Sequence, residues 1–193
     1  KVCYDNNIPV TCRGAGTGLV GACTPIAGGV VLCTMRMKQI LEYDTDNFVV
    51  RVQPGVLLND LAEDALKQGL LYPPDPGEKF ATLGGNVSTN AGGMRAVKYG
   101  ATRDYVRAMA VVLPTGEIVK MGATVSKTSS GYSLLNLIIG SEGTLGIITE
   151  LTLKLIPAPK QTVSLICPFE DLATCISTVP LFKKAHMDPQ ALA

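Results

Sequence analysis

The chain has 193 residues, of which 47% are hydrophobic, and a formal net charge of +1. That length and apolar share are enough for a folded domain with a real core and exclude intrinsic disorder. Near-neutral charge and an aromatic content of 5% give no electrostatic or stacking basis for binding nucleic acid or an anionic membrane surface. Residues 1–7 read as the tail of a helix entering a strand, with no initiator methionine and no signal peptide. The chain is therefore expected to be cut from something longer, with no membrane span and a cytoplasmic location. Residues 8–12 read as a short strand, and 28–34 and 48–53 as two more, rich in β-branched residues. Apolar residues at 57, 58, 61, 62, 65 and 66 have helical spacing, with Gly69 as the stop. Strand, strand and helix in this order predict a small α/β subdomain.

Residues 72–104 are rich in Pro, Gly, Asn and Thr and show little periodicity, which predicts a long functional loop. Residues 109–113 and 117–121 around the turn Pro114-Thr-Gly116 predict a β-hairpin. Residues 147–155 alternate, with Leu151, Leu153 and Leu155 on one face, predicting a half-buried strand of an antiparallel subdomain. Pro157-Ala-Pro159 reads as a domain boundary. Beyond it, 162–166 read as a strand and Asp171 as the cap of a helix that Pro180 interrupts. A strand and a helix bury no core alone, so this tail reads as the opening of a second domain.

Three glycine clusters carry the chemistry: Arg13-Gly-Ala-Gly-Thr-Gly-Leu-Val-Gly21, Thr82-Leu-Gly-Gly-Asn-Val-Ser-Thr-Asn-Ala-Gly-Gly93 and Gly140-Ser-Glu-Gly-Thr-Leu-Gly146. Glycine admits positive φ and close approach of another molecule. Three such clusters, studded with hydroxyl and amide groups, point to backbone wrapped around a long polar ligand. Gly16-Thr-Gly-Leu-Val-Gly21 has the G-x-G-x-x-G spacing, but Pro25 and Gly28-Gly29 break the helix that a Rossmann site requires. No Walker lysine is present either. A loop of backbone N–H groups still cradles a diphosphate as an anion-binding nest. Arg13 either adds charge to that nest or anchors the loop through carbonyls. In the second cluster Ser88, Thr89 and Asn90 either meet a ligand's polar edge or make turns, and Asp75 either binds a ligand hydroxyl or caps a turn.

The six cysteines, at 3, 12, 23, 33, 167 and 175, form no Cys-x-x-Cys pair, and His186 is the only histidine. Zinc and iron–sulfur sites are not expected, and the cysteines read as buried reduced thiols of a cytosolic protein. With one histidine, placed in a polar stretch, no Ser-His-Asp or Cys-His set is complete within the chain.

Read together, the three clusters, Pro73-Pro-Asp-Pro76 and Lys98-Tyr-Gly100 stand in an order that resembles the FAD-binding domain of the FAD-linked oxidases related to vanillyl-alcohol oxidase. Within these, the chain is most similar to the glycolate oxidase FAD subunit and D-lactate dehydrogenase group, over residues 1 to about 160. The resemblance implies an α+β fold: a two-lobed PCMH-type FAD-binding domain, with a small α/β lobe and a mainly antiparallel β lobe, over 1–160. Residues 161–193 would begin a truncated α+β cap domain. By position, Arg13, Gly14, Ala15, Gly16, Thr17 and Gly18 would hold the pyrophosphate. Pro74, Asp75, Thr82, Leu83, Gly84, Gly85, Thr89, Asn90, Ala91 and Gly92 would line the ribityl and flavin region. Glu142, Gly143, Thr144, Leu145, Gly146, Ile147 and Ile148 would meet the adenosine side.

Residues 13–21 contain neither His nor Cys, so the resemblance implies non-covalent FAD. It further implies a small 2-hydroxy acid as substrate, of the glycolate or D-lactate type, with catalytic His and Arg in the cap, so that no catalytic residue falls in this chain. An iron–sulfur subunit or an electron-transferring flavoprotein would take the electrons. A flavin-dependent ether-lipid synthase and a non-catalytic FAD module are the alternatives. Val20 and Ala22 stand where many relatives have Ser and Gly, Gly77-Glu78 replace a common Ser-Ser, and Ser133 replaces a common Asp.

Overall fold

The computed structural model describes residues 1–129 and 131–191. A one-turn helix, α1 (Val2–Asp5), leads into β1 (Val10–Arg13), which pairs in parallel with β2 (Val30–Cys33). This is the small lobe, and none of the residues of its two strands is buried. The rest of the described chain is organised by a five-stranded antiparallel sheet. Its strands are β3 (Ile40–Asp44), β4 (Val49–Val52), β6 (Val106–Val112), β7 (Ile118–Gly122) and β8 (Ile147–Lys154), in the spatial order β3-β4-β8-β6-β7. A short pair, β5 (Leu70–Leu71) with β9 (Ile156–Pro157), lies outside it.

The sheet's two faces follow from alternation. Val50 and Val52 of β4, Leu151 and Leu153 of β8 and Val111 of β6 are fully buried on the inner face. Against them pack α2 (Leu58–Lys67) through Leu58, Leu61 and Ala65, and α3 (Leu83–Thr89) through Leu83 and Val87. Tyr72 and Tyr105 complete the core edge-to-face, with centroids 6.1 Å apart. On the outer face Arg51 of β4 reaches Glu42 of β3 at 3.1 Å and Glu150 of β8 at 3.6 Å, tying three strands through cross-strand ion pairs that solvent weakens.

The antiparallel hairpin and the strand at 147–154 are where the sequence places them, and α2 ends at Gly69 with φ +71°. Four readings are corrected, and one strand is added. Residues 49–52 belong to the antiparallel sheet, not to the small lobe, because β4 pairs with β8. The strand β3 is an addition: it lies at the sheet's edge, only partly covered, and its alternation is weak. The stretch 72–104 is not structureless, since it holds α3, α4 (Ala96–Tyr99) and the start of a 3-10 turn at Thr102–Tyr105. Residues 162–166 form no strand, because among the described residues no strand pairs with them, and Val163, Leu165 and Ile166 stay exposed. Pro180 does not interrupt its helix. Two further helices complete the fold, α5 (Leu134–Ile138) and α6 (Leu172–Lys184), and α6 runs through Pro180.

Asp171 caps α6 as expected, its carboxylate accepting the Thr174 N–H at 2.8 Å, and those bonds hold its acidity above the ordinary aspartate's. No residue of α6 is buried. The segment is tethered at its far end, where Lys98 Nζ lies 3.0 Å from the Asp188 carboxylate. The cysteines also depart from expectation: read as buried thiols, none of the six is buried.

Candidate cofactor-binding site

The three glycine clusters meet in one cleft. Its walls include Gly14, Ala15, Gly16, Thr17 and Gly18 from the first, Thr82, Gly84, Gly85, Ser88 and Thr89 from the second, and Glu142, Gly143, Gly146 and Ile148 from the third. Each wall is built differently.

The first cluster leaves β1 without entering a helix, as the prolines and glycines downstream require. Gly16 sits at φ +78°, and a Cβ there would lie 2.5 Å from Nη2 of Arg13, so the guanidinium lies directly over this backbone. Among the described residues no carboxylate pairs with Arg13, and no backbone or side-chain acceptor takes the N–H groups of residues 14–18. A run of unpaired amides under an unpaired guanidinium is chemistry suited to an anion. The carbonyl of Arg13 is occupied, accepting from Thr34 N at 2.9 Å.

The second cluster is a helix, which its paired glycines disguise. Thr82 caps α3 by accepting the Gly85 N–H at 3.3 Å, Leu83 and Val87 anchor it in the core, and Asn90 ends it at φ +48°. Its first amides are consumed: Leu83 N donates to Val56 O at 2.9 Å and Gly84 N to Pro54 O at 2.8 Å. The helix start therefore offers no anion site. The Ser88 hydroxyl donates to Gly84 O at 2.8 Å and that of Thr89 to Gly85 O at 3.1 Å, so toward a ligand both act as acceptors. Thr82 also fills the space beside Gly14, where a Cβ would overlap its hydroxyl. Replacing Thr82→Ala is expected to cost about 1 kcal/mol through the lost cap, or ~2–4 °C in melting temperature. Thr82→Ser should restore it, as thermal melting would report.

The third cluster docks on the end of α3. Gly140 N donates to Val87 O at 3.0 Å and Glu142 N to Ser88 O at 2.8 Å, with Glu142 at φ +53°. From there the chain runs into β8, so the sheet holds this wall in place.

The remaining residues expected from the sequence lie off the cleft wall. Leu83 is fully buried and Pro74 is buried. Asp75 accepts the Gly77 N–H at 3.4 Å and pairs with Arg95 at 3.5 Å, the turn-capping alternative. Asn90 accepts the Arg103 N–H at 2.9 Å, and the carbonyl of Ala91 accepts the Thr102 hydroxyl at 2.8 Å. Thr144 donates to Ser141 O at 2.7 Å. Arg13, Gly92, Leu145 and Ile147 are likewise absent from the lining. The sequence reading missed Cys12, Val20, Ala22, Cys23, Thr34, Pro54, Ala81 and Asn86, which do line it. Most lie outside the glycine runs, and only the fold brings them in. Burial and the neighbouring Cys33 push the Cys12 thiol's pKa up, keeping it protonated.

The residues present fit a flavin dinucleotide. The amides of residues 14–18 are free to donate to a diphosphate, and Gly18 has no atom within 4 Å of where a Cβ would sit. A buried side-chain amide, that of Asn86, is left without a partner on the wall.

Residues 1–122 match the family model of the FAD binding domain, and the chain belongs to that family, as the PCMH-type FAD-binding domain of an FAD-linked oxidase. Its cofactor is FAD. Over its full length the chain is 74% identical to a D-lactate dehydrogenase of Anaerostipes hadrus, covering 40% of that protein. It is 43% identical to the glycolate oxidase subunit GlcD of Bacillus subtilis, over 99% of the chain and 41% of the relative. A solved structure of alkyldihydroxyacetonephosphate synthase superposes with a TM-score of 0.83 at 26% identity, over 98% of this chain and 35% of that one. The chain thus spans about 40% of the length of the curated relatives it matches. Among the described residues no helix is long and apolar enough to cross a membrane.

Proposed function

We propose that this chain is the cofactor-holding part of a flavoenzyme that oxidises a small 2-hydroxy acid, D-lactate or glycolate, to the 2-oxo acid. The observation that carries the reading is the cleft in which the unpaired amides of residues 14–18, the glycine face of α3 and the third cluster converge. When bound, FAD supplies the two-electron acceptor for oxidation of the CH–OH group. The chain's own residues bind and orient it. The amides of 14–18, with the Arg13 guanidinium beside Gly16, neutralise the diphosphate, α3 presents acceptor hydroxyls and glycine surface, and Glu142, Gly143, Gly146 and Ile148 close the third side. Neither His nor Cys stands at 13–21, which supports non-covalent attachment. Cys12 and Cys23 do line the cleft.

Residues 161–193 begin a second domain in this reading, supported by the uncovered apolar side chains of 163–181. The substrate-handling groups belong to that domain, so no catalytic residue is assigned within the chain. The identity to a D-lactate dehydrogenase supports the 2-hydroxy acid over an ether-lipid precursor, since the synthase shares the fold at 26% identity. Electrons pass to a protein partner, an iron–sulfur subunit or an electron-transferring flavoprotein. The relative named as a subunit of glycolate oxidase supports a partner of some kind. Six free cysteines support a cytoplasmic site.

The full-length protein is expected to purify yellow, to release FAD on acid treatment, and to lose its flavin absorbance when D-lactate or glycolate is added without oxygen. A flavin that stays oxidised in excess of both acids would overturn the substrate class. A protein that takes up no FAD would overturn the reading of the cleft.

A further inference from the structure

Asn86 is a residue whose placement within the chain alone has no structural return. It lies inside α3, where Asn is a poor helix former. It is only 4% exposed, and its side-chain nitrogen is shielded from solvent with no hydrogen-bond partner. Buried donors are nearly always paired, and an unpaired one is a standing penalty that leucine, of similar size, would not incur. Tyr43 and Tyr72 carry the other two unpartnered buried side-chain atoms among the described residues, and both are off the cleft. Asn86 alone of the three lines it. Its neighbours on the same wall do not compete for an acceptor: Ser88 and Thr89 spend their hydroxyl protons on the carbonyls of Gly84 and Gly85. Donors on this wall are therefore scarce. The χ2 torsion of Asn is broad, so the amide reorients at low cost when a partner arrives.

We propose that Asn86 is a cofactor-reading residue, whose side-chain amide hydrogen-bonds an acceptor atom of the bound flavin dinucleotide. The unpaired donor in the chain is the partner that the ligand arrives to satisfy. This rests on the reading of the cleft as the FAD site, and it assigns a role to the one side chain of the second cluster that is buried without a partner.

The test uses the full-length protein stripped of FAD, in wild-type form and as Asn86→Leu. Two quantities are read: the melting temperature of the apoprotein, and the FAD dissociation constant from quenching of flavin fluorescence. The expected result is an N86L apoprotein that melts at or above wild type, yet binds FAD at least about tenfold more weakly, the worth of one lost hydrogen bond to a buried group. An N86L variant that binds FAD as wild type does overturns the inference alone. A variant that fails to fold, or whose apoprotein melts well below wild type, shows that the amide holds the helix and also overturns it. Wild type that binds no FAD overturns the reading of the cleft, and the inference falls with it.

Discussion

Gly18→Val should leave the apoprotein's melting temperature within about 2 °C of wild type, as for a surface substitution, and weaken its hold on FAD. The two halves of that result come from one observation. A Cβ at Gly18 meets no atom within 4 Å, and its φ is not one that side chains avoid. Nothing in the chain therefore demands glycine at this position. Its neighbours are different: Gly16 sits at positive φ beneath Arg13, Gly14 abuts the Thr82 hydroxyl, and a Cβ on Gly84 would lie 2.6 Å from that of Pro54. Losing FAD in any of those variants would confound folding with binding. In Gly18→Val the added methyls meet no atom of the chain, and against a ligand on this wall they cost roughly 1–3 kcal/mol, or about 10- to 100-fold in affinity. Calorimetric titration of the apoprotein would measure it. An unchanged affinity would mean that this loop is a turn and the ligand lies elsewhere.

Leu151→Ala is expected to be the most destabilising simple truncation. Leu151 is fully buried in β8, which is flanked by β4 and β6, and it faces both core helices across the inner face. Truncation there costs about 2–5 kcal/mol, roughly 5–15 °C for a chain of this size. It is a large share of the ~5–15 kcal/mol that holds a typical domain together. Ile148 and Gly146, at the start of the same strand, line the cleft. Bound FAD should therefore return part of the loss, about 2.7 kcal/mol when free FAD stands a hundredfold above its dissociation constant. Melting curves with and without FAD would show both effects, and a shift below about 2 °C would mean the core closes around the gap.

How far the sequence reaches depends on what kind of signal each element carries. The hairpin read at 109–113 and 117–121 announces itself by its Pro-Thr-Gly turn, the strand at 147–154 by alternation, and α2 by its apolar stripe and terminal glycine. The cleft is legible because its glycines cluster. The helix α3 is hidden, since Gly84, Gly85, Ser88 and Thr89 all argue against helix on propensity. Tertiary anchors decide it instead: a threonine cap, two buried side chains, and carbonyls of Pro54 and Val56 that take its first amides. Partnership of strands is equally invisible locally. That β4 joins β8, a hundred residues on, is set by the core they share. Asn86 escapes notice because polarity says nothing of burial.

The parallel pair β1–β2 has a consequence for the protein's persistence. Parallel strands are ordinarily covered on both faces, yet here Val30, Val31 and Leu32 are between 37% and 44% exposed. Among the described residues, the lobe that presents the unpaired amides of residues 14–18 is thus the one with the least core, while the opposite wall is rooted in the sheet. A ligand spanning both acts as the missing packing for the weaker side. Amide exchange should report it: added FAD is expected to slow exchange in β1 and β2 more than in β8, and equal slowing in all three would mean that the ligand does not span the two walls.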